Sequence, residues 1–296
     1  MVMNCVKRAG LVLFIIAVVL ALSSLAGAET ENKEESFAYQ EFDSYLRYMP
    51  SRSIKTTSGK VEMIRSGNTY NYGFKAFGKL PVKLSLDTEY ISIENTLRHV
   101  ELPAHLVGLS GGIETTLPFF RCKNTYFRLG LEPSFYSDDA DFKSSAFRIP
   151  SYYYLIYLPN SKWIFLSGIA VYPDFEDEVL PIVGFIYKPN DKLSFNIVPK
   201  RPNITYALNN RVSLFTEGSL ALNKEFEVKR DNAENVVLTY KETRLGSGIK
   251  FRFNRYIQAS VSAGGLFKRR LRYRDNQGKV DIKDGLYTEF RVEIKS

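Results

Sequence analysis

The stretch that decides the fold runs from Leu245 to Tyr273, and its second half, positions 257–273, reads IQASVSAGGLFKRRLRY. Apolar or small side chains alternate with polar ones there, and a period of two places successive side chains on opposite faces of a β-strand. The first half, from Leu245 to Phe253, alternates in the same way. Both arms are longer than the ~5–6 residues of an ordinary strand. Arms of this length, joined by a polar turn at Asn254 and Arg255, predict a hairpin of a membrane-spanning β-barrel.

The N-terminal segment is built like a secretory signal peptide. Lys7 and Arg8 precede an apolar run from Leu11 to Leu22, and Ala26-Gly27-Ala28 matches a small-residue cleavage site. We predict a signal peptide over residues 1–28 that is cleaved on export. The alternative is an uncleaved membrane anchor, but the apolar run is shorter than the ~20 residues that a spanning helix needs.

The composition fits an exported β-protein. Removal of the signal peptide would leave Cys122 as the one cysteine, so an internal disulfide framework is excluded. The net charge of +8 is spread along the chain, and export argues against nucleic acid as a partner. The 19 Tyr and 21 Phe suit the aromatic girdles that barrels place at both membrane interfaces.

The segment before the first clear strand is polar. Residues 29–58 lack a sustained period, so they predict an N-terminal extension rather than part of the barrel. Within it, Phe37 to Tyr48 is a weaker candidate for an element that plugs the lumen. From Gly59 onward, alternating segments separated by turn residues predict strands up to the C-terminus.

Counting these segments predicts the architecture. Lys192–Leu208, which Pro199 and Pro202 interrupt, is interpreted as one bent strand because proline cannot donate to a ladder. The predicted fold is all-β: a single antiparallel up-and-down transmembrane β-barrel over residues 59–296, with about twelve strands and ten to fourteen as the range. One conflict remains, because the N-terminal half places its longer loops at the opposite end from those of the C-terminal half.

Turn and strand residues in the C-terminal half carry a resemblance to a known family. They are Leu180, Pro181, Gly184, Tyr187, Pro189, Asn190, Lys192, Leu193, Pro199, Pro202, Ile204, Tyr206, Leu208, Tyr240, Arg244, Leu245, Gly246, Ala263, Gly264, Phe267 and Arg269. With them the chain resembles a family of uncharacterised bacterial outer-membrane β-barrel proteins, catalogued as a domain of unknown function, from about Gly59 to the C-terminus. The resemblance implies a barrel in the outer membrane, and it implies no catalytic residue.

Charged positions on the alternating arms are the candidates for a lumen lining. Simple alternation places basic residues of both arms on the inward face, beside charged residues of the last strand. These candidates are Lys250, Arg252, Lys268, Arg270, Arg272, Arg274, Glu289, Arg291 and Glu293. One reading is a cationic lumen that selects anions. The other is a set of charges that neutralise one another, with Glu289 and Glu293 as partners of the basic residues, or that solvate the part of the strand above the membrane.

Catalytic and metal sites have weak support. His105 with Ser110 is the nearest approach to an activated nucleophile, and five residues along a strand place the two on opposite faces. His99 and His105 have no cysteine or carboxylate cluster beside them to complete a zinc site. The loop carboxylates Asp138, Asp139, Asp174 and Glu176 read as solvated charges rather than ligands. We predict no cofactor, no metal and no enzymatic activity.

The sequence therefore predicts a non-enzymatic outer-membrane barrel with a structural role or a passive role in the passage of small solutes, with anions as one candidate class. Its predicted partners are outer-membrane lipid, the outer-membrane assembly machinery and those solutes. Two alternatives stay open. One is a periplasmic β-protein that binds an apolar ligand, and the other, less favoured, is an outer-membrane lipid hydrolase.

Overall fold

A computed structural model describes residues 38–55, 58–97, 100–139, 144–199, 201–219, 224–230, 233–274 and 278–296. The predicted signal peptide, residues 1–28, and His99 lie outside these ranges. Within them, no helix has the length and apolar composition needed to cross a bilayer.

The described residues form strands of very different lengths that belong to one sheet. A 3-10 turn at Ser144–Ala146 lies between β6 and β7. The strands are β1 (Tyr39–Ser53), β2 (Lys60–Ala76), β3 (Leu80–Asn95), β4 (His105–Pro118), β5 (Thr125–Leu131), β6 (Ser134–Ser137), β7 (Phe147–Arg148), β8 (Ser151–Asn160), β9 (Trp163–Val171), β10 (Val179–Tyr187), β11 (Leu193–Ile197), β12 (Asn203–Ala207), β13 (Val212–Ser219), β14 (Lys224–Arg230), β15 (Ala233–Arg252), β16 (Ile257–Tyr273), β17 (Lys279–Asp281) and β18 (Gly285–Lys295).

The wall of the molecule is a closed antiparallel barrel of 14 strands. Neighbours in the wall pair in the order β1, β2, β3, β4, β5, β8, β9, β10, β11, β12, β13, β15, β16 and β18. The last strand, β18, returns to β1, with Arg47 opposite Glu289. The predicted all-β barrel is confirmed, and its strand number is 14 rather than about twelve.

Two segments account for the difference in strand number. Residues assigned to the N-terminal extension form β1, which joins β2 to β18. In the described residues the barrel therefore begins at Tyr39 rather than Gly59. The described part of the candidate plug, from Tyr39 to Tyr48, lies in a wall strand. The segment interpreted as one bent strand is the hairpin of β11 and β12. Pro199 and Pro202 lie in its turn, where no ladder hydrogen bond is required of them.

The added strand β1 also resolves the conflict over loop lengths. Both described chain ends now lie at the same end as the short connections, such as residues 77–79 and 161–162; we call it the turn end. The longer connections, such as residues 96–104 and 132–150, lie at the opposite end, the loop end. Outer-membrane barrels have short turns on the periplasmic side and longer loops outside.

The outward face of the wall is apolar and exposed. Aromatic side chains gather near the turn end: Trp163 stacks on Tyr187 with 4.0 Å between ring centroids, and Phe77 and Phe120 at the turn tips are 98% and 88% exposed. Such a girdle is typical of the membrane–water interface. Other exposed outward residues are Leu84, Leu86, Ile113, Tyr153, Leu155, Phe165, Ile169, Val183, Leu214, Leu245, Ile249, Val261, Leu286 and Phe290.

The wall is much higher on one side than on the other. Strands β1 to β4, β15 and β16 have 14 to 20 residues. Strands β8 to β13 have 5 to 10. The long strands therefore continue at the loop end beyond the point where the short strands stop.

The extended parts of the long strands close a second, smaller ring. Beyond the end of β13, β15 pairs with β14, and β14 pairs in parallel with β6 through Glu227 and Ser137. In turn β6 pairs with β4. A partition of β14 and β6 thus crosses the barrel, and it closes an inner ring with β15, β16, β18, β1, β2, β3 and β4.

The inner ring is filled by the hydrophobic core of the molecule. Its core side chains come from the long strands, from the partition and from the loops above. They are Met49, Ile54, Val61, Met63, Ile91, Ile93, Leu102, Leu106, Phe226, Val228, Leu238, Tyr240, Leu266, Leu271, Tyr273, Val280, Ile282 and Tyr287. We call this side of the barrel the filled half, and the side bounded by β8 to β13 the open half.

Candidate functional site

A β-bulge at Lys268 changes which residues of β16 face inward. Lys268 has a φ of 52°, and the register with β15 shifts at this point, so Lys241 lies opposite Arg270 and Thr243 opposite Phe267. An extra residue in a strand moves every following side chain to the other face. Arg269 therefore points into the filled half, and its side chain is 1% exposed.

The bulge removes four of the candidate lumen charges from the lumen. Lys268 is the exposed bulge residue itself, and Arg270 lies on the outer face, where its Nε is 2.7 Å from Asp281. Arg272 and Arg274 also lie on the outer face of the inner ring and bind the connection between β9 and β10. The predicted basic ladder of Lys268, Arg270, Arg272 and Arg274 is corrected accordingly.

The other candidates follow the simple alternation. Lys250 and Glu293 face the lumen and pair at 3.1 Å, whereas Arg252 is exposed at the end of β15 near the turn end. Glu289 and Arg291 face inward at mid-height, with 2.9 Å between Arg291 Nη2 and Glu289 Oε1.

The centre of the lumen holds a buried network of alternating charges. Arg47 lies 2.6 Å from Glu289 and 3.1 Å from Glu242, and Arg244 lies 2.9 Å from the same Glu289 and 3.3 Å from Glu217. Each buried guanidinium thus has carboxylate partners, which is what a buried charge requires.

The network extends to both sides of these four residues. Arg65 bridges Glu242 at 3.0 Å and also pairs with Glu89. At the opposite side, Arg291 binds Asp43 at 2.7 Å. Acidic and basic groups are close to balance here. The centre of the lumen therefore carries paired charges and not a ring of charges of the same sign.

Most residues of this network were not predicted from the sequence to line the lumen. Arg47 lies on β1, which was not recognised as a strand. Glu242 and Arg244 share the face of Lys250 on β15, so continuing that alternation toward the N-terminus would have found them. Glu89 and Glu217 carry no local signal, because a charge on an inward face resembles any exposed charge.

The open half has a different lining. Its inward face follows from the pairings of Arg128 with Tyr154, Tyr152 with Ala170 and Ala170 with Leu180, since cross-strand partners share a face. Side chains on this face are apolar or tyrosine; Ile156 and Ala170 are buried, whereas six others stay partly exposed although they point inward. They are Tyr152, Tyr154, Leu166, Leu180, Ile182 and Ile186.

Farther around the open half the lining becomes polar. Ser194 and Asn196 of β11 and Asn203 and Thr205 of β12 face inward, and Phe215 of β13 follows. The lumen of the open half thus lies between an apolar wall on β8 to β10 and the charged network on the far side. Partial exposure of inward apolar groups indicates space beside them, in contrast to the packed filled half.

The β9–β10 loop, Tyr172–Glu178, reaches across the loop end of the open half. Its Phe175 is buried, and the Glu176 N–H donates to Glu225 Oε1 of β14 at 2.6 Å. Glu176 also pairs with Arg272, and Arg274 donates to the Asp174 carbonyl at 2.6 Å. These contacts fasten the loop to the inner ring, so it covers the mouth of the open half.

The acidic groups of this loop contact have shifted pKa values. The hydrogen bond from Arg272 lowers the pKa of Glu176 below its ordinary value. Burial raises the pKa of Glu225, against the opposing effect of the Glu176 N–H. The loop is therefore held by ionised Glu176 at neutral pH.

The residues considered for catalysis are separated. His105 pairs across the strands with Ser92 on the outward face and stacks near Tyr90, whereas Ser110 faces inward and donates to Glu132 at 3.1 Å. They lie on opposite faces of β4, as the spacing predicted. Among the described residues, no group of three or more His, Cys, Asp or Glu could hold a metal.

The comparisons with known proteins concern solved structures. No family model and no curated protein matches the chain. An outer membrane channel from Pseudomonas putida F1 is 10% identical over 90% of this chain and 97% of that one, with a TM-score of 0.47. A FadL homologue from Pseudomonas aeruginosa is 9% identical over 88% and 90%, with a TM-score of 0.46. The KdgM porin in complex with disordered oligogalacturonate is 9% identical over 86% and 97%, with a TM-score of 0.34.

Proposed function

We propose that this protein is a passive, non-enzymatic channel of the outer membrane, and that solutes pass through its open half. The observation that carries the proposal is the contrast between the two halves of one barrel. The filled half is packed with core side chains, whereas Leu166, Leu180, Ile182 and Ile186 of the open half point inward and remain partly exposed. A barrel with only a structural role has no need of this division.

The lining favours small solutes of low charge. Apolar and tyrosine side chains of β8 to β10 provide favourable contacts for an apolar surface. The central charges are paired with one another, so they leave little net field to attract an ion. The expected selectivity for anions is therefore weak, and the anionic solutes suggested by the basic residues are the less favoured class.

A soluble periplasmic binder fits the outer face poorly. Such a protein would need polar residues outside, but the outward rows of the wall strands carry exposed apolar side chains such as Val183, Leu245 and Val261. Contiguous apolar surface of this extent marks contact with a membrane or a partner. Outer-membrane lipid and the assembly machinery are thus the partners that we propose. A lipid hydrolase has no support from His105 and Ser110, which cannot meet.

The test is conductance of the chain from Glu29 to Ser296, refolded in detergent and inserted into planar bilayers. A gel-mobility shift on boiling first establishes that the barrel is closed. Ile182→Trp, which adds volume on the inward face of β10, is expected to lower the conductance severalfold. The matched control is Val183→Trp on the adjacent outward position, which should leave it unchanged. Equal conductance of both variants, or no conductance in the parent protein, would overturn the proposal.

A further inference from the structure

The outward apolar rows of β16 and β18 stop at one height near the loop end. On β16 the row ends at Phe267, and on β18 it begins at Leu286, which pairs with Gly265. The stretch of β16 from Ile257 to Phe267 covers about 33 Å of extended chain, or about 25 Å of height at a strand tilt of ~40°. This height matches the apolar band of a membrane barrel. Phe267 and Leu286 therefore lie at the outer boundary of the hydrocarbon.

The bulge at Lys268 changes the outward surface of β16 from apolar to basic. Leu266 and Arg269 are buried, whereas the two residues between them, Phe267 and Lys268, are both exposed. A regular strand would turn one of these two side chains inward. The left-handed backbone at Lys268 thus places its ammonium group on the same face as Phe267, one residue closer to the loop end.

Backbone pairing brings further cations to this height. The Ile282 N–H donates to the Arg269 carbonyl at 3.0 Å, and Ile282 forms a β-bridge with Ile54. Arg269, Ile282 and Ile54 are all buried, so the exposed residues that flank them along the chain face outward. These flanking residues include three lysines, which we call the outer basic patch: Lys55, Lys268 and Lys283.

The protein leaves the charges of the outer basic patch without counterions. Within the described part of the chain, none of the three lysines forms an ion pair, and all three are exposed. The carboxylate of Asp281, on the same face, is shared by Arg270 at 2.7 Å and Lys279 at 2.8 Å. Asp284, just before β18, adds one further negative charge. The surface therefore keeps an excess of positive charge.

The excess of positive charge is confined to one side of the barrel. On the neighbouring strands β2 and β3, the outward surface at the loop end is acidic, because Glu62 lies opposite Glu94. A ligand attracted by positive charge would therefore gather at the outer basic patch and not all around the loop end.

Anionic groups of lipid lie at the height of the outer basic patch. The polar headgroup region begins where the ~30 Å hydrocarbon core ends. Lysine and arginine clusters at that level attract anionic headgroups. A lysine ammonium has three donors on a long flexible stem, so it can follow a phosphate oxygen without a fixed geometry.

We propose that the outer basic patch binds the phosphate groups of lipids in the outer leaflet. The occupant is a lipid and not a free phosphate ion, because the acyl chains of the same molecule would pack against Phe267 and Leu286 below the patch. The inference deepens the proposed partnership with outer-membrane lipid and rests on that membrane placement. It does not depend on the passage of solutes through the open half.

The proposal is tested by titrating the chain from Glu29 to Ser296, refolded in detergent, with diphosphoryl lipid A. Native mass spectrometry counts the bound lipid, and dephosphorylated lipid A with the same acyl chains isolates the contribution of the phosphates. The patch variant carries asparagine at position 268, because asparagine tolerates the left-handed backbone. Its three substitutions are Lys55→Gln, Lys268→Asn and Lys283→Gln.

The matched control variant removes the same charge from exposed residues at the turn end. Its substitutions are Lys79→Gln, Lys162→Gln and Arg211→Gln. The patch variant should lose about tenfold or more in affinity for diphosphoryl lipid A, because each basic residue near an anionic lipid surface contributes to binding. The control variant should bind like the parent protein, and dephosphorylated lipid A should bind about tenfold more weakly than the phosphorylated form.

Several outcomes would overturn the proposal. They are equal affinity of the patch variant and the parent protein, an equal loss in the control variant, and equal binding of the two forms of lipid A. Displacement of the lipid by millimolar inorganic phosphate would assign the patch to the free ion instead. A parent protein without a heat-dependent gel shift would overturn the membrane placement, and with it the channel. Normal bilayer conductance without lipid binding would overturn the patch alone.

A measurement on the parent protein decides the question if the patch variant does not fold. N-hydroxysuccinimidyl acetate acetylates exposed lysines, and a bound phosphate should slow this reaction. Diphosphoryl lipid A is expected to reduce the labelling of Lys268 and Lys283 severalfold and to leave that of Lys79 and Lys162 unchanged. Labelling that is the same with and without the lipid at all four lysines would contradict the proposal.

Discussion

At the scale of single residues, Lys268 determines what the filled half contains. Its left-handed backbone, with a φ of 52°, creates the bulge that turns Arg269 inward and its basic neighbours outward. Arg269 lies in the apolar core, with Nη2 at 3.1 Å from the Met63 sulfur, and its Nε and Nη1 have no hydrogen-bond partner in the described structure. The Glu242 carboxylate attracts this guanidinium without a hydrogen bond between them, so its desolvation cost is only partly compensated.

This arrangement predicts opposite effects for two arginines that are both buried. Arg269→Met should stabilise the barrel by about 1–3 kcal/mol, because it removes a poorly paired charge from an apolar core. Arg47→Met should destabilise it by about 3–5 kcal/mol, because Glu289 and Glu242 lose a partner. Urea unfolding in lipid vesicles measures both. A destabilising Arg269→Met would show that this guanidinium has a stabilising partner.

At the scale of elements, the β9–β10 loop lies over the mouth of the open half and is held there by the buried Phe175 and a few polar contacts. Glu176, Arg272 and Arg274 are partly exposed, so each contact is weak by itself and screened by salt. A segment held by such contacts belongs to the least stable part of a structure. Release of this loop would uncover the open half without disturbing the core.

Arg272→Ala is therefore expected to raise the conductance at neutral pH, because Glu176 loses the group that fastens the loop. Arg270→Ala, on the same strand but paired with Asp281, is the control and should leave the conductance at the parent level. Identical single-channel records for all three proteins would show that the loop does not limit passage.

Acid should have the same effect on the parent protein. The pKa of Glu176 is lowered, so its contribution to docking is complete above the ordinary glutamate value of 4.5 and is lost as the pH falls through the lowered pKa. Conductance should rise only below that ordinary value, and Arg272→Ala should show no further rise. A rise centred near neutral pH would assign the release to another group.

At the scale of the whole molecule, closure depends on β1, which joins the first and last parts of the chain. Leu46 lies on its outward face opposite Phe290 of β18, at a position that should face lipid. Leu46→Lys should therefore cost about 2–4 kcal/mol of folding free energy. Ser58→Lys, in the connection after β1, should cost little. Equal stability of the two variants in urea titrations would contradict the placement of β1 in the wall.

The parts of this fold that the sequence could predict are those where alternation is clean. The hairpin of β15 and β16 and the faces of β18 follow directly from a period of two. Strand β1 was not predicted because its alternation is broken. Its inward face carries charged residues, and the polar Gln40 and Ser44 lie among the apolar residues of its outward face. The bulge at Lys268 could not be predicted because no residue type there indicates it. The inner ring could not be predicted because it depends on pairing between segments far apart in the sequence, such as β6 and β14.

The uneven height of the wall has a consequence for the surrounding lipid. Around β15, β16 and β1 to β4 the apolar belt meets a bilayer of ordinary thickness, but around β11 and β12 it is several ångströms too short. Hydrophobic mismatch of this kind is relieved by tilting of the protein or by local thinning of the bilayer. The bilayer would be thinned on one side of the barrel only, so the protein would deform the surrounding membrane asymmetrically.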